Sequence, residues 1–221
     1  MRITIKRKSI NIIPMGGLDA IGRNMTVVSY KNEMIIIDAG MMFPEPEMLG
    51  INCVIPDLTF LRENKNKILG VFLTHGHEDH IGAVPYIYKF IDAPLYGTKL
   101  TLGLVEEKLK EAGLSRKVKM REISSKYKVS TGNFDLEFIN VCHSIPDGIA
   151  VSVKTPVGTV VFSGDFKIDH TPVDGQKMDL NKFAELGNHG VLVFLSDSTN
   201  SLDPGHSASE SMVGQSFKNL F

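Results

Sequence analysis

The sequence contains little of what would mark a secreted, membrane-spanning or strongly charged protein. Its 221 residues include no tryptophan and only two cysteines, Cys53 and Cys142. These thiols lie far apart in the chain and lack the paired spacing of a disulfide framework. The basic N-terminus is not followed by the apolar run of a signal peptide, and no stretch approaches the ~20 apolar residues of a membrane span. These absences predict a soluble, cytoplasmic protein without a membrane partner.

An excess of either charge is also missing. Lys and Arg number 24 against 25 Asp and Glu, which leaves a formal net charge of -1. This balance excludes an overall basic surface for nucleic acid. A polyanionic partner would need a local patch, for which Arg23, Lys167 and residues 117–119 are candidates.

The chain does contain many short β-branched runs bounded by turn residues. They predict strands at residues 25–29, 34–37, 71–73, 134–141, 149–153, 159–162 and 191–195, the last of them buried. Apolar spacing predicts helices over 81–90 and 99–112, and the beginning of another at 209–221. This mixture predicts an α/β fold in which sheets pack on each other with helices outside.

Four of the predicted strands lead directly into side chains that bind metals. These side chains are Asp38, the segment from His75 to His80, His143 and Asp165. Strand ends are held by packing yet face solvent, so ligands there can be rigid and still open to a substrate. We therefore expect the four segments to converge.

The segment His75-Gly-His77-Glu-Asp79-His80 is the most specific motif. In an extended chain His75 and His77 project to the same side, and a helix starting near Asp79 would aim Asp79 and His80 at a neighbouring position. A mixture of imidazole and carboxylate ligands suits Zn²⁺. Burying these groups without a metal would leave several polar atoms unsatisfied.

Other residues have simpler interpretations. His170, His189 and His206 are each interpreted as non-ligands, and Cys142 as a buried core residue. Asp38 is either a turn residue or the acceptor that orients a metal-binding histidine. The glycine-rich loop at 15–24 lacks the spacing of a phosphate-binding motif, which favours a turn at the rim of the site.

In this order, His75, His77, Asp79 and His80, then His143 and Asp165, resemble the signature of the metallo-β-lactamase fold. Segments 38–44, 50–57, 164–173 and 196–200 resemble the ribonuclease J family, and the similarity covers nearly the whole chain. The resemblance implies an αββα sandwich. It also implies an enzyme that cuts RNA by 5′-to-3′ exonuclease and endonuclease action, in mRNA decay and ribosomal RNA maturation.

The resemblance further implies two zinc positions, with Mn²⁺ or Mg²⁺ as alternative ions. The first would be held by His75, His77 and His143, the second by Asp79 and His80, and Asp165 would bridge them. Two such ions can share a hydroxide and aim it at a phosphodiester. The resemblance implies catalytic roles for Asp79 and for Asp197, which matches the first acidic motif of the β-CASP group.

By the same resemblance, residues 1–200 form the N-terminal part of a metallo-β-lactamase domain, and 201–221 begin an inserted β-CASP domain that is truncated. A further histidine of the second zinc position would come from beyond Phe221, so this position is expected to be incomplete and the chain poorly active. An oligomer would form through segments absent here. Two alternatives stay open: a small-molecule hydrolase such as a thioesterase or lactonase, and an inert metal-binding fragment.

Overall fold

A computed structural model describes residues 9–221, and two β-sheets form its centre. The first sheet has six strands in sequential order: β1 (Ile10–Gly16), β2 (Met25–Tyr30), β3 (Glu33–Ile37), β4 (Ile68–Phe72), β5 (Leu95–Gly97) and β6 (Met120–Glu122). The pairs β1/β2 and β2/β3 are antiparallel, whereas the pairs from β3 to β6 are parallel. Strands β3 and β4 therefore end at the same edge of the sheet.

The second sheet has the order β11-β10-β9-β8-β7. Its strands are β7 (Lys128–Thr131), β8 (Phe134–Asn140), β9 (Ile149–Thr155), β10 (Gly158–Phe162) and β11 (Val193–Leu195). Because β8 and β10 both run antiparallel to β9, they point in the same direction and also end at one edge. The residues that follow these two strands can therefore meet.

Helices occupy the connections. They are α1 (Thr59–Glu63), followed by a short 3₁₀ turn, then α2 (Glu78–Ile81), α3 (Val84–Ile87), α4 (Lys99–Glu111), α5 (Leu180–His189) and α6 (Ser211–Leu220). Among residues 9–221, no helix is both long enough and apolar enough to cross a membrane.

The core lies in three layers. Between the sheets, Phe72 stacks on Tyr96 with 4.5 Å between ring centroids and also contacts Phe138 of the second sheet. On the outer face of the first sheet, α3 and α4 bury apolar residues against β3 and β4. On the outer face of the second sheet, Phe183 and Leu186 of α5 pack against β8 and β9. The order of layers is helix, sheet, sheet, helix, which confirms the predicted αββα sandwich.

The seven predicted strands and the helix at 99–112 are confirmed, with shifted ends. The single helix predicted over 81–90 is wrong. Two four-residue helices, α2 and α3, stand there because the chain turns at Gly82 and Ala83 and Pro85 begins a new first turn. The prediction that 191–195 is buried is also wrong, since Val193 and Phe194 are 36% and 52% exposed on the edge strand β11.

Candidate metal centre

The first group of possible metal ligands joins three imidazoles and one carboxylate. His75 and His77 lie in the extended segment between β4 and α2, while His143 follows β8 and Asp165 follows β10. Nδ1 of His77 lies 3.1 Å from Nε2 of His75 and 3.2 Å from Nε2 of His143. Oδ2 of Asp165 lies 3.9 Å and 3.6 Å from the same two Nε2 atoms. Four potential ligand atoms thus surround one point.

The second group shares Asp165 with the first. Nε2 of His80 lies 3.2 Å from Oδ1 of Asp165 and 3.6 Å from Oδ2 of Asp79. Because Asp165 turns Oδ2 toward the first group and Oδ1 toward the second, its carboxylate is placed to bridge two positions. In the part of the chain that the structure describes, these two groups are the ones whose ligand atoms all lie within 4.8 Å of one another.

The spacing of these atoms fits a tetrahedral metal ion. Ligand atoms about 2.0–2.1 Å from such an ion lie roughly 3.3–3.4 Å from each other, and the separations in the first group scatter around that value. The donor types, imidazole nitrogen and carboxylate oxygen, are those that zinc accepts. The first group offers a full tetrahedral set, whereas the second offers three ligands.

Asp38 lies behind the centre and contacts two of its neighbours. Its side chain is 7% exposed. Its Oδ2 accepts a hydrogen bond from Nδ1 of His80 at 2.8 Å, and its Oδ1 accepts one from the backbone N–H of Thr74 at 2.8 Å. The bond to Nδ1 turns Nε2 of His80 toward Asp79 and Asp165. This geometry supports the interpretation of Asp38 as an orienting acceptor over that of a surface turn residue.

The charges of the two groups differ. Burial lowers the pKa of His75 to about 2, and repulsion by His80 adds to the shift, so the His75 ring is neutral. Burial also lowers the pKa of His143. Burial acts the same way on His80, but the Asp38 charge and hydrogen bonds to Asp165 and Asp38 outweigh it and raise the pKa of His80 to about 10. Burial opposes ionisation of Asp165, yet the hydrogen bond and charge of His80 lower its pKa to about 2.

Backbone hydrogen bonds hold α2 in place. The N–H groups of Ala39 and Met41 donate to the carbonyls of His80 and Glu78, at 2.8 Å and 3.1 Å. Gly40 lies so close to this helix that a Cβ atom there would be 1.5 Å from the carbonyl oxygen of Asp79. Glycine is therefore required at residue 40, and the segment after β3 acts as a rigid support for the second ligand group.

Asn24 connects the glycine-rich loop to the same helix. Its backbone N–H donates to the carbonyl of Asp79 at 2.9 Å, and its Nδ2 donates to Oδ2 of Asp79 at 3.1 Å. The same Nδ2 lies 3.0 Å from Nε2 of His80. Asn24 therefore contacts both ligands that belong to the second group alone.

A cleft of about 600 Å³ opens beside the centre. Its lining includes Asp79, His80 and Asp165, the loop 16–22, and residues 195–200. The loop thus lies at the rim, as expected. Asp197 is half-buried in the cleft wall, where its backbone N–H donates to Oγ of Ser163 at 2.9 Å, and it belongs to neither ligand group.

The residues interpreted as non-ligands lie elsewhere. His170, His189 and His206 are exposed and outside both groups. Cys142 is buried, as expected for a core residue, and burial raises the pKa of its thiol. The sequence interpretation missed Thr74 and Asn24. Their only signal was position: Thr74 immediately precedes the histidine motif, and Asn24 ends the glycine-rich loop.

Residues 18–192 match the metallo-beta-lactamase superfamily. This is most of the chain, and the αββα layers and the strand-end ligand groups agree with it. The chain therefore belongs to the metallo-β-lactamase superfamily.

Two curated relatives carry a more specific name. The chain is 46% identical over 216 residues to Ribonuclease J of Synechocystis sp., covering 97% of this chain and 34% of the relative. It is 45% identical over 206 residues to Ribonuclease J2 of Bacillus subtilis, covering 93% of this chain and 37% of the relative. The chain thus spans about a third of the length of these relatives.

Among solved structures, the fold is similar to that of a protein of unknown function from Enterococcus faecalis V583. The TM-score is 0.66 at 17% sequence identity, and the match covers 91% of this chain and 53% of the other. At this identity the likeness supports the fold alone.

Proposed function

We propose that this chain carries the metal centre of a cytoplasmic ribonuclease that hydrolyses RNA phosphodiesters with two metal ions, as both an exonuclease and an endonuclease. The observation that carries the proposal is the pair of ligand groups around Asp165, in a chain nearly half identical to proteins named ribonuclease J. Zinc is the ion that the donor set favours, with Mn²⁺ or Mg²⁺ as alternatives.

Each side chain of the centre has a separate task in this proposal. His75, His77 and His143 would hold the first ion, Asp79 and His80 would hold the second, and Asp165 lies within reach of both positions. Bound metal ions would lower the pKa of a water molecule and offset negative charge on the phosphate. Asp38 keeps the His80 ring turned toward the centre, because its carboxylate accepts the Nδ1 proton.

We propose that RNA binds in the cleft beside the metal positions. The cleft lies against Asp79, His80 and Asp165, so a phosphodiester in it would be within reach of the metal positions. We propose that Asp197, in the wall of this cleft, has a catalytic role. We also propose that residues 1–200 belong to the metallo-β-lactamase domain and that 201–221, including α6, begin the inserted domain.

The test is an assay of the longer protein that contains this chain, loaded with Zn²⁺ or Mn²⁺, on 5′-monophosphorylated single-stranded RNA. The proposal predicts cleavage that is lost in Asp165→Asn, and RNA binding that weakens as salt is raised, because phosphate contacts dominate such binding. Lys182→Ala removes two partly exposed ion pairs, to Glu137 and Glu185, outside the cleft, so it is a matched control and should keep full activity.

Residues 1–221 tested alone should bind RNA weakly and cleave it negligibly, since phosphate contacts dominate RNA binding and this chain has a net charge of -1. Hydrolysis of thioesters or lactones, with RNA left intact by the longer protein, would favour a small-molecule hydrolase. Tight metal binding without any turnover would favour an inert metal-binding role.

A further inference from the structure

Thr74 is the residue between the end of β4 and the first histidine of the motif. Thr74 is 1% exposed, and its hydroxyl lies among four polar atoms. Oγ1 of Thr74 is 2.9 Å and 3.1 Å from the two carboxylate oxygens of Asp38. It is also 3.0 Å from Nδ1 of His75 and 3.4 Å from Nδ1 of His80. The hydroxyl therefore stands between a buried carboxylate and two possible metal ligands.

Counting protons determines the direction of these hydrogen bonds. A hydroxyl has one proton to donate and two lone pairs to accept with. If that proton pointed to His75, the oxygen of Thr74 would face two oxygens of Asp38 with no proton between them. The hydroxyl therefore donates to Asp38. The short contact to His75 is then a hydrogen bond only if Nδ1 of His75 carries a proton and donates it to Thr74.

The direction of the hydrogen bond between His75 and Thr74 determines which ring nitrogen of His75 has a lone pair available for a metal ion. A neutral imidazole with its proton on Nδ1 has a lone pair on Nε2. Nε2 is the His75 atom that faces His77 and Asp165 in the first ligand group. His80 has a similar orientation, because its Nδ1 donates directly to Asp38 and its Nε2 faces Asp165.

The backbone of Thr74 fixes the position of its hydroxyl. Its N–H donates to Oδ1 of Asp38 at 2.8 Å, and its carbonyl accepts from the N–H of Ile149 in the second sheet at 3.0 Å. A Cβ atom on Gly164 would lie 3.1 Å from Cβ of Thr74, so the segment that follows β10 also packs closely against this side chain. The hydroxyl is thus held by both sheets.

We propose that Thr74 is a positioning residue: it accepts the Nδ1 proton of His75, donates to Asp38, and so leaves Nε2 of His75 free for the first metal ion. Through Thr74, Asp38 reaches one ligand of the first position as well as His80 of the second. This inference rests on the proposed metal centre and assigns a role to a residue that contacts neither metal position.

The test compares Thr74→Val, which has the same shape without the hydroxyl, with Thr74→Ser, which keeps it. Zn²⁺ affinity is measured by competition with a chelator. Thr74→Val should weaken the first position by about 10–100-fold, the range for losing a group that orients a metal ligand, and Thr74→Ser should restore most of the affinity. Thr155→Val is the matched control, because it removes a buried hydroxyl bonded to the carbonyl of Gly158 at the far end of β9.

A second measurement needs no variant. Two-bond ¹H–¹⁵N correlation spectra of the metal-free protein report which ring nitrogen of His75 is protonated, and the inference predicts Nδ1. Protonation at Nε2, or a Thr74→Val variant that binds zinc as tightly as the wild type, would overturn it. Absence of zinc binding by the wild type would instead contradict the proposed function.

Discussion

The two ligand groups share Asp165 but differ in number of ligands and in charge. The first offers four ligands, including the neutral His75, whereas the second offers three, including His80, whose pKa is raised to about 10. A metal ion at the second group would therefore have to displace a proton, and this group offers it only three ligands. Asp165 thus lies between one group that is ready for an ion and one that is not, so we expect unequal zinc affinities at the two groups.

The largest effect is expected from His77→Ala. His77 stands between His75 and His143, so its loss removes the central ligand of the first position. Zinc bound there should fall to background, while the fold is retained because the side chain is only half-buried. Metal analysis by mass spectrometry and circular dichroism would check both statements. The exposed His189→Ala serves as control, and an unchanged zinc content in His77→Ala would remove His77 from the ligand set.

Asp38→Asn should weaken zinc binding by about 10–100-fold. Asparagine would place an amide N–H₂ toward either the Thr74 N–H or the His80 Nδ1–H, where both neighbours are donors. Because Asp38 contacts His80 directly and His75 through Thr74, both positions should be affected. A competition titration against the exposed Asp57→Asn control measures the effect. Zinc affinities equal to those of the wild type would favour the alternative interpretation of Asp38 as a turn residue.

The zinc affinity of the second position should rise by up to about tenfold for each unit by which the pH is increased, because the ion competes with the proton on His80. The raised pKa of His80 favours the protonated, metal-free fold below its ordinary value of 6.5, and this stabilisation is lost as pH rises toward 10. Protonation of His75 and His143 should oppose binding at the first position less, since both pKa values are lowered. Titrations at several pH values that gave equal slopes for the two positions would contradict this difference.

Asn24→Ala should have the smallest effect, a loss of less than about tenfold at the second position only. The variant removes the hydrogen bond from Nδ2 to Asp79 and keeps the backbone bond between the same residues. Asn64→Ala, which removes a side-chain bond to the carbonyl of Phe60, is the control. A comparable loss at the first position would show that Asn24 supports the whole centre rather than one side of it.

The convergence of the two ligand groups could be predicted from the sequence because their residues follow buried strands. Side-chain alternation placed His75 and His77 on one side, and the strand ends before His143 and Asp165 suggested convergence. Thr74 and Asn24 were missed because nothing local distinguishes a threonine that bonds to a carboxylate 36 residues away in the chain. Their roles depend on tertiary contacts that residue types alone do not reveal.

In the fold, too, elements with a clear local pattern could be predicted from the sequence, whereas features that depend on tertiary contacts could not. The seven-residue strands β8 and β9 have a clear pattern of apolar side chains, whereas the three-residue strands β5 and β6 are too short for one. Strand β11 has the apolar sequence of a buried strand but lies at the edge of its sheet. Hydrophobicity therefore predicted the strand correctly and its burial wrongly, because burial depends on what packs against it.

The most direct test of the unequal centre is a zinc titration of the wild-type chain at neutral pH, followed by chelator competition and metal counting. We predict one tightly bound ion and a second, weaker one, with the tight ion lost in His77→Ala. Two ions bound with equal, high affinity would contradict this prediction.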